Sequence, residues 1–192
     1  LWIYRLDRAH RVLGGALSNG GNVTGWIAER FADGDFGRLT AEAERMTPDN
    51  HGLTVLPFLA GERSPSWDDA ATGTITGLKL ATTPAEVFRA TLEATAYRFA
   101  AIYDDLRAVV VTDHEIHANH RIDALDAEAE ASACGAALCA LEAIGARPSL
   151  RGPHDEIIRA HEPDPATADA YAGGRSRHLA LERAMLPFNH RG

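Results

Sequence analysis

Lysine is almost missing from this chain: Lys79 stands alone against 18 arginines in 192 residues. A Walker phosphate loop ends in Gly-Lys-Ser/Thr, and no such triplet surrounds Lys79, so that route to nucleotide binding is excluded. The preference for arginine fits a GC-rich bacterial genome. Positive charge is also short overall, with 19 Lys plus Arg against 27 Asp plus Glu and a net charge of −8. A surface of that sign repels phosphate backbones and anionic lipid, so neither nucleic acid nor a membrane is an expected partner. Cysteine is scarce: Cys134 and Cys139 are the only two, and in one helix they point about 140° away from each other. With no disulfide framework, no apolar run approaching the ~18 residues of a membrane span and no charged-then-apolar leader, a cytoplasmic location is expected. What remains is a composition that is 45% apolar, as in one soluble globular domain whose partners are small metabolites.

The patterning is that of alternating strands and helices. Leu1 to Leu6 and Arg11 to Leu17 read as two strands that could pair as a hairpin, and opening directly in a strand suggests a piece of something longer. After the break Asn19-Gly20-Gly21-Asn22, the residues Val23, Trp26, Ile27 and Phe31 recur at helical spacing until Asp33-Gly34-Asp35. A short helix is predicted around Leu39 to Arg45, then a buried strand from Leu53 to Leu59, a loop to Pro65 and a strand from Gly73 to Leu78. Thr83-Pro84-Ala85-Glu86 combines an N-cap threonine, a first-turn proline and a third-position glutamate, which predicts a helix to about residue 107. Its apolar face is read as Val87, Phe88, Thr91, Leu92, Ala94, Phe99, Tyr103 and Leu106. A strand from Val109 to Ala118 and a helix from about Ala127 to Ile144 follow. A last helix begins at Asp164-Pro165 and carries Tyr171, Leu179, Leu181 and Met185, with Gly173-Gly174 weakening its middle. This order argues for an α/β layered domain.

Three groups of residues have chemistry in them. Gly14-Gly15 and Gly20-Gly21 flank a strand-to-helix passage, where free amides and the helix dipole can hold phosphate, although most such turns only reverse the chain. His114, His117 and His120, with Asp113 and Glu115, form a possible zinc set. On a strand, however, His117 points away from the other two, and no pair is four apart as a helical site needs, so surface or loop histidines are the preferred reading. Glu62 and Arg63, ahead of Trp67, Asp68 and Asp69, have the types of catalytic groups, but a solvated loop with an internal ion pair is favoured.

Four ordered segments carry a resemblance. Gly73-Thr74-Ile75-Thr76-Gly77-Leu78, a seven-residue spacer and Glu86-Val87-Phe88-Arg89-Ala90-Thr91-Leu92-Glu93 fit the second signature of the FGGY family of carbohydrate kinases. Val12 to Asn22, Leu56 to Pro65 and Glu130 to Ala137 resemble other parts of that family's C-terminal domain, in family order. Gly14-Gly15, Asn19-Gly20-Gly21 and the Leu-Ala-Gly-Glu-Arg-Ser-Pro loop look most like gluconate kinases.

The resemblance implies a ribonuclease H-like domain of the actin and hexokinase type, spanning residues 1–192 but incomplete. It also implies transfer of the ATP γ-phosphoryl group, with Mg²⁺, to a sugar or sugar acid. By that resemblance Gly21 and Gly25 match positions contacting the nucleotide phosphates, and Gly135 lies in a small-residue helix beneath the nucleotide site, where packing is its preferred role. The catalytic base and first phosphate loop belong to an N-terminal sugar domain, and a Gly-Thr loop to the segment before Leu1, so a separate N-terminal partner is a further expectation and this chain holds no catalytic residue. The family's adenosine segment ends in Ala-Ser-Gly-Gly, whereas Ile116-His117-Ala118-Asn119-His120-Arg121 stands here, and the following helix and strand look deleted before Glu130. Bulky residues in place of those glycines predict weak ATP binding.

Overall fold

The computed structural model describes residues 1–5, 8, 11–109 and 164–189. The readings placed on 110–163 lie outside the described residues: the strand to Ala118, the helix from Ala127, both cysteines, the histidine trio, the Ile116–Arg121 segment and Gly135. The chain divides into two compact units, one of Leu1–Tyr4, Leu13–Val111 and Asp164–Gly192, the other of Arg5–Val12 and Thr112–Pro163. The second unit contributes only Arg5, Arg8, Arg11 and Val12 to the described residues.

Strands β1 (Trp2–Arg5) and β2 (Arg11–Gly14) form a two-stranded sheet. The second strand stops three residues before the expected Leu17. Beyond it, Ala16 exchanges hydrogen bonds with Ser64 in place of a ladder partner. Helix α1 (Gly21–Phe31) buries Val23, Thr24, Ile27 and Ala28, and it ends where Asp33 and Gly34 take left-handed φ values of 50° and 80°. Asp35 then caps α2 (Phe36–Glu44), its carboxylate accepting the Arg38 N–H at 2.9 Å, and Leu39 and Ala43 face the core.

Strands β3 (Thr54–Leu56) and β4 (Thr74–Thr76) pair antiparallel with Val55 opposite Ile75. The expected strand from Leu53 to Leu59 is cut short because Pro57 has no N–H to donate. Past β4, Gly77 sits at φ 86°, and a Cβ there would strike the Gly52 carbonyl. Gly77→Ala is therefore expected to lower stability by about 2 kcal/mol, measured by urea unfolding. An unchanged midpoint would mean that this turn relaxes freely.

The capping box before α3 (Pro84–Val109) forms as read, with Glu86 N–H donating to Thr83 Oγ1 at 3.2 Å and Thr83 N–H to Glu86 Oε2 at 2.7 Å. Val109 ends this helix and does not begin a strand. The buried face also differs from the apolar stripe. Val87, Phe88, Thr91 and Ala94 are inside as expected, but Leu92 and Tyr103 are exposed, and Ala90, Arg98 and Ile102 take the interior places. Ala85, Ala90 and Ala94 share the core with Val87 and Phe88 where α3 packs against α1, α2 and β3.

A 3-10 turn (Pro165–Thr167), capped by Asp164, leads into α4 (Ala168–Asn189). The helix runs on through Gly173-Gly174, the weak point read in its middle. Gly174 is buried where a Cβ would collide with the Tyr97 hydroxyl, so the glycine lets α4 pack against α3. Leu181 and Met185 cover Leu56, Phe58 and Ala71, while Ile27, Leu39, Val55 and Phe88 belong to the larger core between α1, α2, β3 and α3.

Candidate functional site

The glycine turn is bare at its tip and tied down at its base. Gly20 and Gly21 have open space where a Cβ would stand, as does Gly25 one turn into α1. The N-cap is Gly20, which offers no side-chain acceptor, and no acidic residue occupies the first turn. The first amides of α1 thus have no carboxylate competing for them, and the positive end of the helix dipole faces outward beside the exposed Gly21. Asn22 tightens the turn by accepting the Gly20 N–H at 2.7 Å and donating to the Ser18 carbonyl at 3.1 Å.

Asn19 supplies the base. It is 4% exposed, accepts the Ala60 N–H at 3.0 Å and donates to the Gly61 carbonyl at 2.5 Å. Three residues on from Gly61, Ser64 N–H donates to the Ala16 carbonyl at 2.9 Å while Ser64 Oγ accepts the Ala16 N–H at 3.1 Å. Two motifs separated by about forty residues therefore form one loop pair. The arrangement suits an oligoanion. It offers no carboxylate in the first turn of α1, so the turn by itself does not fit a Mg²⁺ ion.

Glu62 is where the sequence reading needs correcting. It is not part of a solvated ion pair with its neighbour: it is 2% exposed and pairs with Arg98, itself equally buried, while Ser66 Oγ donates to its other oxygen. Arg98 continues to Glu182 on α4 at 2.7 Å and lies over the Phe58 ring, 5.2 Å from its centre. Burial pushes the Glu62 carboxyl up, against the opposing pull of Ser66 and Arg98. Arg63 is exposed and covers the Trp67 ring at 5.9 Å instead. Glu62 is thus an anchor holding the loop, and no catalytic arrangement surrounds it among the described residues.

Asp49, His51 and Glu93 bring three metal-capable atoms within 4.8 Å of one another. Their hydrogen bonds show that a metal does not fit. The Leu53 N–H donates to His51 Nδ1 at 3.1 Å, which places the imidazole proton on Nε2, and that proton points at Glu93 Oε2, 3.1 Å away. A metal needs the Nε2 lone pair, and the two carboxylates already hold Arg89 and Arg177. Burial works to raise the Glu93 carboxyl, but hydrogen bonds from His51, Arg89 and the Asp49 N–H outweigh it and hold it below the usual range. The cluster fastens α3 to the loop before β3. Arg98 was not picked out from the sequence, and Asn19 and Glu93 stood there only as members of matched segments, with no anchoring role assigned. For Arg98 and Glu93 the available signal was a charged residue at an α3 position that helical spacing places inward.

Comparison with known proteins bears on the whole arrangement. The chain is 33% identical over 114 residues to the gluconokinase of Bacillus licheniformis, covering 54% of this chain and 22% of that protein. It is 35% identical over 124 residues to the glycerol kinase of Rhodospirillum centenum, covering 62% of this chain and 24% of that one. It spans under a quarter of each relative's length. The gluconate kinase of Lactobacillus acidophilus superposes with a TM-score of 0.76 at 23% identity, over 96% of this chain and 42% of that one. The fold is accordingly a partial ribonuclease H-like domain of the actin and hexokinase type. The family model described as the FGGY family of carbohydrate kinases, C-terminal domain, matches residues 4–125, more than half of this chain, and this chain belongs to that family.

Proposed function

We propose that residues 1–192 are the partial nucleotide-side domain of a cytoplasmic carbohydrate kinase that moves the ATP γ-phosphoryl group onto a sugar hydroxyl, gluconate being the acceptor. A separate sugar domain supplies the catalytic base. Gly21 and Gly25 stand beside the phosphates: their missing side chains let the anion approach the backbone, and the α1 amides and dipole offset its charge. Bound Mg²⁺ would neutralise phosphate charge, and the glycine turn would contribute amides and no metal ligand. The bare, anchored turn is the observation that carries this reading. Gluconate is preferred over glycerol or a pentulose because the Asn19 turn and the Glu62 loop resemble gluconate kinases.

Titration of Mg-ATP into the chain, followed by amide resonances, tests the reading. Shifts are expected at Gly20 to Gly25 with a dissociation constant no tighter than about 1 mM. Gly21→Asp should abolish them while leaving the fold intact, because its side chain enters open space and an acid suits a first helical turn. Unmoved amides at saturating nucleotide would favour the rival reading, a non-catalytic kinase remnant. Low-micromolar affinity would show instead that the adenosine site is complete. Turnover of gluconate by the chain alone should not exceed a protein-free control, and appearance of turnover abolished by altering one of its own carboxylates would refute the assignment of the base to another domain.

A further inference from the structure

Trp67 is costly where it stands. Its backbone lies in the left-handed region at φ 54°, which disfavours any side chain, and the indole it carries is 50% exposed to water. The loop itself is firmly built: Trp67 N–H donates to the Arg63 carbonyl at 2.5 Å, Glu62 N–H to the Asp68 carbonyl at 2.8 Å, and the buried Glu62 and Ser64 hold it from beneath. Asp68 turns its carboxylate to the Ala70 N–H at 3.0 Å. A rigid loop thus presents an aromatic face with the Arg63 guanidinium over it, hydrogen-bonded through Gly61 and Ser64 to the segment that leads into the glycine turn. Unusual backbone kept in place by its surroundings, next to a ligand-binding feature, points to function.

We infer that this loop carries part of the acceptor site: Trp67 is the platform for the carbon chain of a sugar acid, and Arg63 is the cation that reads its carboxylate. The inference rests on the kinase reading above and assigns acceptor recognition to this domain as well as to the sugar domain. The polarised C–H groups of a polyol lie favourably on an electron-rich ring, and a guanidinium makes charge-assisted hydrogen bonds to a carboxylate. The relatives and solved neighbours act, by their names, on gluconate, glycerol and xylulose, and of these gluconate alone has a carboxylate. An exposed arginine on the platform therefore discriminates among them by charge.

The test follows the Trp67 indole N–H resonance, assigned with Trp67→Phe, while the intact chain is titrated with gluconate or with glucitol, its neutral six-carbon counterpart. Gluconate should move the resonance about tenfold more tightly than glucitol. Arg63→Met, on an exposed side chain, should bring gluconate to the glucitol level and leave glucitol unchanged. Equal response to the two ligands, a gluconate response that survives Arg63→Met, or no response up to roughly 100 mM ligand would each overturn the inference. The Gly20 to Gly25 amides report Mg-ATP in the same sample. A nucleotide response without a gluconate response removes this inference alone, and silence at both removes the kinase reading with it.

Discussion

Replacing Arg98 by alanine is expected to cost about 3–5 kcal/mol of stability, a large part of what a domain of this size has. The side chain is 2% exposed and joins Glu62 to Glu182, so its loss leaves one carboxylate sealed in the interior and another partly so, with no cation between them. Breaking a buried pair from one side is worse than never having made it. Accordingly, the double variant Arg98→Met with Glu62→Gln, which removes both charges and roughly keeps the volume, should recover much of the loss. Urea unfolding of the two variants measures both effects. If Arg98→Ala costs under about 1 kcal/mol, water reaches the pair and the anchoring of the Glu62 loop lies elsewhere. Because that loop also clasps Asn19, the alanine variant should loosen the glycine turn some distance from the substitution.

The second large effect is a loss of stability in mild acid, carried by His178. This imidazole is 1% exposed on α4, and its Nδ1–H donates to the Val55 carbonyl at 2.8 Å. A second proton would have to sit on Nε2, which is buried without a partner among the described residues. Burial, helped by the nearby Arg98 and Arg175 charges, lowers its pKa from 6.5 to about 4. The unfolded chain therefore binds a proton that the folded chain refuses between those two values. The contribution is complete above pH 6.5 and is lost as the pH falls toward about 4, by about 3 kcal/mol in all. Glu93, held below its usual range, adds a loss of the same sign further into acid. Unfolding midpoints taken across this range should slope in the native chain and flatten in His178→Gln, which keeps a donor for Val55 and cannot titrate. An identical slope in the variant would assign the acid sensitivity to another group.

The two best-read elements are those whose signals are local. The start of α3 is written within four residues, Thr83 to Glu86, and the end of α1 in Asp33-Gly34. The glycine turn before α1 was legible for the same reason, since an open backbone at a helix start needs nothing distant to explain it. What was missed depends on partners far along the chain. Asn19 finds Ala60 and Gly61 at separations of 41 and 42 residues, and Arg98 finds Glu182 at 84. In the sequence Arg98 interrupts an apolar stripe and invites assignment to the solvent side, and Glu62 beside Arg63 invites pairing with its neighbour. Both cases share a physical source, in that a buried charge is recognised by its counter-charge and that partner is set by tertiary packing. Gly174 shows the converse: a poor helix former was selected by the ring of Tyr97 across the interface, which helix propensity does not know about.

Helix α4 gives the molecule a fixed order of assembly during synthesis. It supplies Glu182 to Arg98, His178 to the Val55 carbonyl, Arg177 to Asp49 and the Tyr171 hydroxyl to Arg89. The ribosome delivers it after every one of those partners. Until α4 has emerged, the nascent chain must keep Arg98 hydrated and leave Leu56 and Phe58 uncovered, so the Glu62 loop has nothing to close over it. The glycine turn is translated early yet set late, and a nascent chain stalled before α4 would present apolar surface to chaperones with the base of that turn still unanchored.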